Sequence, residues 1–224
     1  MYVVLLLGFL GMTAWGAFDI RLNYFLSAIS SFKTNENSIA LTFDDGPTAF
    51  TPQVLDLLAR YQMKATFFCI GKQLESYPEI AQRIQAEGHQ LANHTYSHSN
   101  QMGFFGTQKL IEEFEQTDIL LEKITGKKNN FFRPPFGVTN PHIAQAVRKM
   151  KYQVIGWNIR SLDTVIEEEE VIYQRIVSKV NKGGIVLLHD TSLKTIAVLE
   201  RLLVFMKEKK YKSVTIAECI SLKK

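Results

Sequence analysis

Two short segments of this chain carry side chains that could share one divalent ion. Thr42-Phe43-Asp44-Asp45-Gly46 offers two adjacent carboxylates, and His94-Thr95-Tyr96-Ser97-His98 offers two imidazoles. One Asp with both His makes three protein ligands and leaves coordination positions open. That is the pattern of a catalytic metal, since a structural site is closed by four. The second carboxylate is then a candidate base for a water activated by the ion. The chemistry implied is metal-dependent hydrolysis. A helical turn over Thr95–His98 would set the two rings on one face, about 5–6 Å apart at Cβ. Each segment alone also has a bland reading, as turn histidines or as a strand-ending Asp-Gly-Pro turn.

Three further residues are candidates. His189 ends the apolar run Ile185-Val186-Leu187-Leu188; by itself it reads as a structural histidine. Arg133 leaves an apolar strand into the stiff Pro134-Pro135 turn. An unpaired charge near a core is costly, so this arginine needs a carboxylate partner. Asp163 is a candidate partner for an arginine or a histidine.

These residues must be held by a scaffold, and the pattern supplies one. Apolar β-type runs occur at Ile39–Asp44, Ala65–Gly71, Gln90–His94, Phe131–Pro134, Gln153–Asn158, Gly184–His189 and Ser213–Ile216, with helical patterns between them. Thr51-Pro52 reads as an N-cap followed by Pro at the first helical position. Leu110, Ile111, Phe114, Leu121 and Ile124 form an apolar helical stripe that core packing explains. Repeated βα units imply parallel strands covered by helices. Asp44, Asp45, His94, Arg133 and His189 all fall at or just past strand ends, the face on which barrel active sites sit. An open doubly wound sheet also gathers strand ends, but no Gly-rich phosphate loop accompanies it.

The chain has 224 residues and 46% hydrophobic content, enough for one sizeable core. A net charge of +4 is too mild to argue for nucleic acid. Lys207, Lys209, Lys210 and Lys212 read as a solvated helix end, and Glu167–Glu170 as an acidic first turn. Cys69 and Cys219 have no CxxC spacing; a buried thiol is expected at Cys69, and a bridge between the two is open. Tyr2 to Phe18 carries no charge and, as a helix, would span roughly 25 Å, slightly short of a bilayer core. Residues 1–29 are therefore expected to be a signal or anchor segment, 30–38 a polar linker, and 39–224 the catalytic domain. The expected location is exported, either secreted or held at the membrane by the N-terminal segment; a buried helix of the fold is the alternative.

In order and spacing, Thr42–Gly46 (TFDDG), His94–His98 (H-[ST]-x-x-H), Arg133–Gly137 (RPP-aromatic-G) and Leu187-Leu188-His189 (L-x-H) resemble the polysaccharide deacetylase family, the NodB homology domain of carbohydrate esterase family 4 type. The resemblance covers about Ile39 to Leu222. It implies a distorted (β/α)7 TIM-like barrel, here preceded by the hydrophobic segment. It also implies a hydrolase acting on non-peptide carbon–nitrogen bonds. By that resemblance Asp45, His94 and His98 hold a divalent metal, zinc first, with cobalt, nickel or manganese as alternatives. Asp44 is the general base and His189 the general acid. Arg133 positions Asp44, and Asp163 orients and charges His189. The Phe136 backbone N–H helps stabilise the oxyanion, and Leu187 lines the acetyl-methyl pocket. The substrate implied is an N-acetylated amino-sugar polysaccharide or oligosaccharide, peptidoglycan or chitin-like. An O-acetyl esterase of xylan type, and a non-catalytic glycan-binding relative, are the alternatives.

The fourth motif departs from the family pattern. Where D-x-x-D-W is usual, this chain has Arg160-Ser161-Leu162-Asp163-Thr164. Asp163 survives, but an arginine replaces the first Asp and a threonine the indole, which puts pocket shape and substrate preference in question. Trp157 reads as core rather than as a replacement. Phe136 stands where an aromatic hydroxyl is usual. Phe104 and Phe105, just after the histidines, read equally as sugar-stacking rings or as packing.

Overall fold

The structure, a computed structural model, describes residues 2–221. Met1, at the head of the expected N-terminal segment, and residues 222–224, at the end of the expected catalytic domain, lie outside the described residues. Among the described residues nine strands form one sheet: β1 (Ala28–Ile29), β2 (Ser38–Asp44), β3 (Ala65–Cys69), β4 (Gln90–Asn93), β5 (Phe131–Phe132), β6 (Gln153–Ile155), β7 (Ile159–Arg160), β8 (Ile185–His189) and β9 (Lys212–Ser213). The order is β1-β6-β5-β4-β3-β2-β8-β7, with β9 beside β2, and every ladder is parallel. The hydrogen-bonded path ends at β1 and β7. The wall is thus a parallel-strand α/β half-barrel, consistent with the barrel family expected.

Helices α1 (Tyr2–Phe18), α2 (Thr51–Arg60), α3 (Gly71–Ser76), α4 (Pro78–Ala86), α5 (Thr107–Thr125), α6 (Pro141–Met150), α7 (Glu169–Val177), α8 (Leu193–Glu208) and α9 (Ile216–Ser221) complete the described chain. Most of them cover the strands. A strand buried on both faces reads as a continuous apolar run, and β2 is buried at every position. Its two faces nonetheless differ. Ile39, Leu41 and Phe43 join the cluster that includes α2 and α8, whereas Ala40 joins the other cluster. Period two then puts Thr42 and Asp44 on the Ala40 side. The same alternation in β8 sends Val186 and Leu188 one way and Ile185 and Leu187 the other. His189 follows Leu187.

The N-terminal residues, Thr51 and the cysteines add detail to this frame. Residues 2–18 form α1, at 17 residues roughly 25 Å long against the ~30 Å of a bilayer core, and among the described residues no helix is long and apolar enough to cross a membrane. The helix docks by its C-terminal end, where the Thr139 amide and hydroxyl donate to the Ala17 and Gly16 carbonyls. Ile20 is buried in the same cluster as Val154 and Trp157. Within the expected polar linker, residues 30–38, some side chains and amides contact the fold. Ser31 bridges to Gly184, Phe32 is buried, and its amide donates to the Gly183 carbonyl. Thr51 is the first residue of α2 rather than its cap, and its hydroxyl turns inward to Asp190. Cys69 and Cys219 are both free and buried, with no bridge.

Candidate active site

The C-terminal ends of β2, β4 and β8 deliver the reactive side chains. Parallel pairing sets Asp44 directly beside His189 in register. Two residues of neighbouring strands therefore reach the same end of the wall without any loop having to bring them together.

Arg133, just past β5, is fully buried. Its Nη1 donates to Asp44 Oδ1 at 2.7 Å and to Thr42 Oγ1 at 2.8 Å. Its Nε and Nη2 reach the Ile155 and Gly156 carbonyls, and the guanidinium lies 4.0 Å from the Phe68 ring centroid. Every polar edge of a buried cation is thus used, and the carboxylate it required is Asp44. With Oδ1 fixed by Arg133, Asp44 presents Oδ2 toward His94, 3.8 Å from Nε2.

Asp45 Oδ1 faces two imidazoles, 3.4 Å from His94 Nε2 and 3.2 Å from His98 Nε2. These three donors lie within 4.8 Å of one another. Asp45 Oδ1 is buried without a hydrogen-bond partner among the described residues, which is the condition of an oxygen that expects a cation. His94 Nδ1 sits 2.7 Å from the Arg133 carbonyl; a proton there leaves Nε2 as a lone-pair donor, the usual way a backbone carbonyl orients a metal-binding histidine. Burial and the neighbouring His94 push His98 down to about 4, so it is neutral at physiological pH as a ligand must be. Burial works to raise the Asp45 carboxyl, and the facing His94, His98 and His189 hold it well below the usual range. The donor set therefore fits a divalent metal.

The histidine loop is not helical. Thr95 and His98 both take left-handed backbone angles, φ 66° and 49°, and the rings come to 5.0 Å between centroids. Asn93 Oδ1 accepts from the Thr95 amide and Glu113 Oε2 from the Ser97 amide, so the loop is shaped by side chains from β4 and α5. Asp45 and Phe136 also have positive φ. Residues held in such regions cluster at functional sites because the surroundings must over-determine them.

His189 is built differently. Its Nδ1 is 2.8 Å from Asp163 Oδ1, and its amide donates to Asp163 Oδ2 at 2.8 Å. The hydroxyls of Ser161 and Thr195 donate to the same carboxylate. Burial disfavours the imidazolium, but Asp163, with Asp44 and Asp45 beyond, raises His189 to about 9. Burial likewise opposes the Asp163 anion, and the His189 contact lowers its pKa regardless.

Asp44, Asp45, His94, His98, Phe136, Leu187 and His189 line one cavity of about 230 Å³, with Arg133 behind Asp44 and Asp163 behind His189. All nine residues singled out in the sequence meet here. Phe136 presents its ring edge to His98 at 4.7 Å. Trp157, expected only as core, is buried and also lines the cavity, as do Arg160 and Thr164. Phe105 packs partly into the core, whereas Phe104 is 91% exposed and lines a neighbouring apolar cavity.

Sequence reasoning missed the supports. Thr42 was findable, since it lies two residues before Asp44 on one strand face. Ser161 and Thr195 give no such signal. Asp190 was passed over as well. It is wholly buried, burial pushes its carboxyl up to about 7, and Thr51 donates to it. It also explains the glycine of the first motif: a Cβ on Gly46 would fall 2.3 Å from Asp190 Oδ2.

Comparison with known proteins settles the lineage. Residues 32–155 match the family model described as polysaccharide deacetylase. The chain belongs to the polysaccharide deacetylase family. It is 36% identical over 200 residues to a peptidoglycan-N-acetylglucosamine deacetylase of Bacillus cereus, covering 84% of this chain and 91% of that protein. It is 34% identical to the peptidoglycan-N-acetylglucosamine deacetylase PgdA of Listeria monocytogenes, covering 83% of this chain but 39% of that longer protein. Among solved structures, peptidoglycan deacetylase PdaC from Bacillus subtilis superposes with a TM-score of 0.79 at 30% identity, covering 84% of this chain and 92% of that one.

Proposed function

We propose that this deacetylase is a divalent-metal-dependent enzyme that removes N-acetyl groups from an amino-sugar polymer. The observation that carries the reading is the grouping around one cavity of a carboxylate fixed by Arg133, a three-donor metal set, and an imidazole paired with Asp163. Asp45, His94 and His98 hold the ion, and two imidazoles with one carboxylate suit zinc. When bound, such an ion supplies Lewis acidity, polarising the amide carbonyl and lowering the pKa of a water toward about 7.

The remaining work belongs to side chains. Asp44 accepts the proton of the attacking water, with Arg133 holding its other oxygen. As the carbon–nitrogen bond breaks, His189 Nε2 gives its proton to the departing amine, and acetate and the free amino sugar result. The Phe136 N–H faces the developing oxyanion, and Leu187 receives the methyl group. Base and acid act on opposite partners of one bond, so no covalent intermediate is required. The relatives named above are peptidoglycan deacetylases, which supports a cell-wall glycan as substrate. A polymer of that kind lies outside the cytoplasmic membrane, so the enzyme works after export.

The test is acetate release by the full chain from N-acetylglucosamine oligomers and from peptidoglycan, before and after metal stripping and zinc re-addition. Release that follows the metal and vanishes in Asp44→Ala is the expected result. Release from O-acetylated xylan alone would replace this reading with an esterase. No release from any substrate by folded, metal-loaded protein would leave a glycan-binding role.

A further inference from the structure

Beyond the Trp157–Arg160 wall lies a second cavity of about 320 Å³, and both of those residues line it as well as the active-site cavity. Its charge is one-sided. Arg21, Arg160, Arg175 and Lys179 line it, with Asp19 as the one carboxylate. Asp19 is already engaged by Arg21 through two hydrogen bonds of 2.6 and 2.8 Å. Arg160, Arg175 and Lys179 make no ion pair with any described residue.

Arg160, although exposed, is also held by its neighbours. Its guanidinium stands over the Trp157 indole, 5.7 Å from the centroid. Arg175 Nε donates to the Arg160 carbonyl at 2.9 Å, which fixes the backbone that aims the side chain. Arg160, Arg175 and Lys179 repel one another around this concavity, where Asp19, already paired with Arg21, is the one carboxylate near Arg160, and a further anion placed among them relieves that repulsion. A guanidinium fork matches a carboxylate in particular. This is the wall on which the chain carries arginine and threonine in place of the usual aspartate and tryptophan.

We propose that Arg160 reads a carboxylate on the substrate, with Arg175 and Lys179 reinforcing it. The proposal rests on the deacetylase reading and names the polymer class: an acid-bearing amino-sugar strand rather than a neutral one. Two parts of such a strand could supply the group. One is an acid ether-linked to a sugar ring; the other is the free carboxylate of a peptide attached through that acid.

The experiment compares three N-acetylated substrates of equal length: a neutral N-acetylglucosamine oligomer, a strand with free N-acetylmuramic acid, and the same strand bearing a short peptide. The acidic strands are also tested as methyl esters. Turnover of each by the zinc-loaded full chain is set against Arg160→Gln and Lys179→Gln, and dissociation constants are measured on Asp44→Ala at low and high salt. The expected result is a preference for one acidic strand of roughly ten- to hundredfold, the range of a charge-assisted hydrogen bond. Esterification, Arg160→Gln and high salt each shrink that ratio, and Lys179→Gln shrinks it less. Whichever acidic strand carries the preference identifies the source of the carboxylate. Equal handling of neutral and acidic strands, or a ratio unchanged in Arg160→Gln, overturns the proposal while leaving deacetylation intact. If no substrate is turned over, the deacetylase reading falls, and the binding ratio still decides whether Arg160 selects acid.

Discussion

From β8, His189 leans on Asp163; from the loop after β4, His94 and His98 converge on Asp45. Both arrangements pair imidazole with carboxylate at one cavity, yet His189 is held charged and His98 neutral. His189 rises to about 9, and His98 falls to about 4. The difference lies in stoichiometry and support. Asp163 serves one ring at 2.8 Å and is itself held by the hydroxyls of Ser161 and Thr195. Asp45 is divided between two rings at 3.4 and 3.2 Å, and each ring feels the other. One carboxylate to one imidazole stabilises a cation, whereas a carboxylate divided between two imidazoles supports each less, and His98 stays neutral with a lone pair to offer a metal. The same residue types thus yield an acid in one place and a ligand set in the other.

The most drastic way to break this comparison is to remove the metal side. Asp45→Ala takes away the shared carboxylate, and Lewis acidity is worth several kcal/mol. Activity should fall by on the order of a thousandfold or more, with zinc content by elemental analysis falling with it. Full zinc occupancy in this variant would show that Asp45 is not a ligand.

Next comes the acid side. Asp163→Asn preserves shape and removes the charge, so kcat should drop on the order of 10²- to 10⁴-fold. The wild-type kcat/KM profile should lose activity as pH rises through about 9, where His189 gives up its proton. In Asp163→Asn that limb should move down toward the ordinary histidine range near ~6.5. An unmoved limb would mean another group sets it. Stability carries the same sign. The folded pKa is raised, so the stabilisation is fully present below about 6.5 and is lost as pH climbs through about 9. Thermal melts of the wild type should decline across that window more steeply than those of Asp163→Asn.

Arg133→Gln probes the carboxylate that stands between the two sides, since the Arg133 guanidinium holds Asp44. Breaking a buried pair leaves an uncompensated charge, so unfolding free energy should fall by about 3–5 kcal/mol in a denaturant titration. A loss below 1 kcal/mol would mean the site relaxes to admit water.

The contrast between these regions also governs what the sequence could reveal. The acid side follows from strand period and register: Ile185, Leu187 and His189 share one face, and Asp44 pairs with His189. A local apolar pattern is enough to read that. The ligand loop does not follow from local pattern. A helical turn is one reading of Thr95–His98, but Asn93 and Glu113 capture amides within the loop, and residues 95 and 98 are left-handed. Glu113 lies on α5, so nothing near the histidines announces it. What the N-terminal residues pack against is hidden for a similar reason. Apolar content in α1 suggested a membrane, and the polar residues at 30–38 suggested a linker. The pairing of β1 with β6 and the burial of Phe32 are long-range contacts that composition does not encode. Strand ends were overextended where prolines 134 and 135 stop β5, and where the Gly156 amide turns to the Ile29 carbonyl.

The smallest expected effect separates charge from hydrogen bonding on the acid side. Thr195 Oγ1 donates to Asp163 Oδ2 at 3.0 Å, next to the His189 amide that shares that oxygen. Thr195→Val deletes this one donor and keeps the shape and both charges of the pair. A single hydrogen bond to a buried charged group is worth about 1.5–3 kcal/mol and less where other donors remain, so stability should fall by about 1 kcal/mol and kcat a few-fold. The basic limb should stay near 9, because Asp163 still faces His189 Nδ1. A limb that shifts as far in Thr195→Val as in Asp163→Asn would reverse the argument: the hydroxyls around Asp163, rather than its charge, would then be what makes one histidine an acid while its counterparts remain ligands.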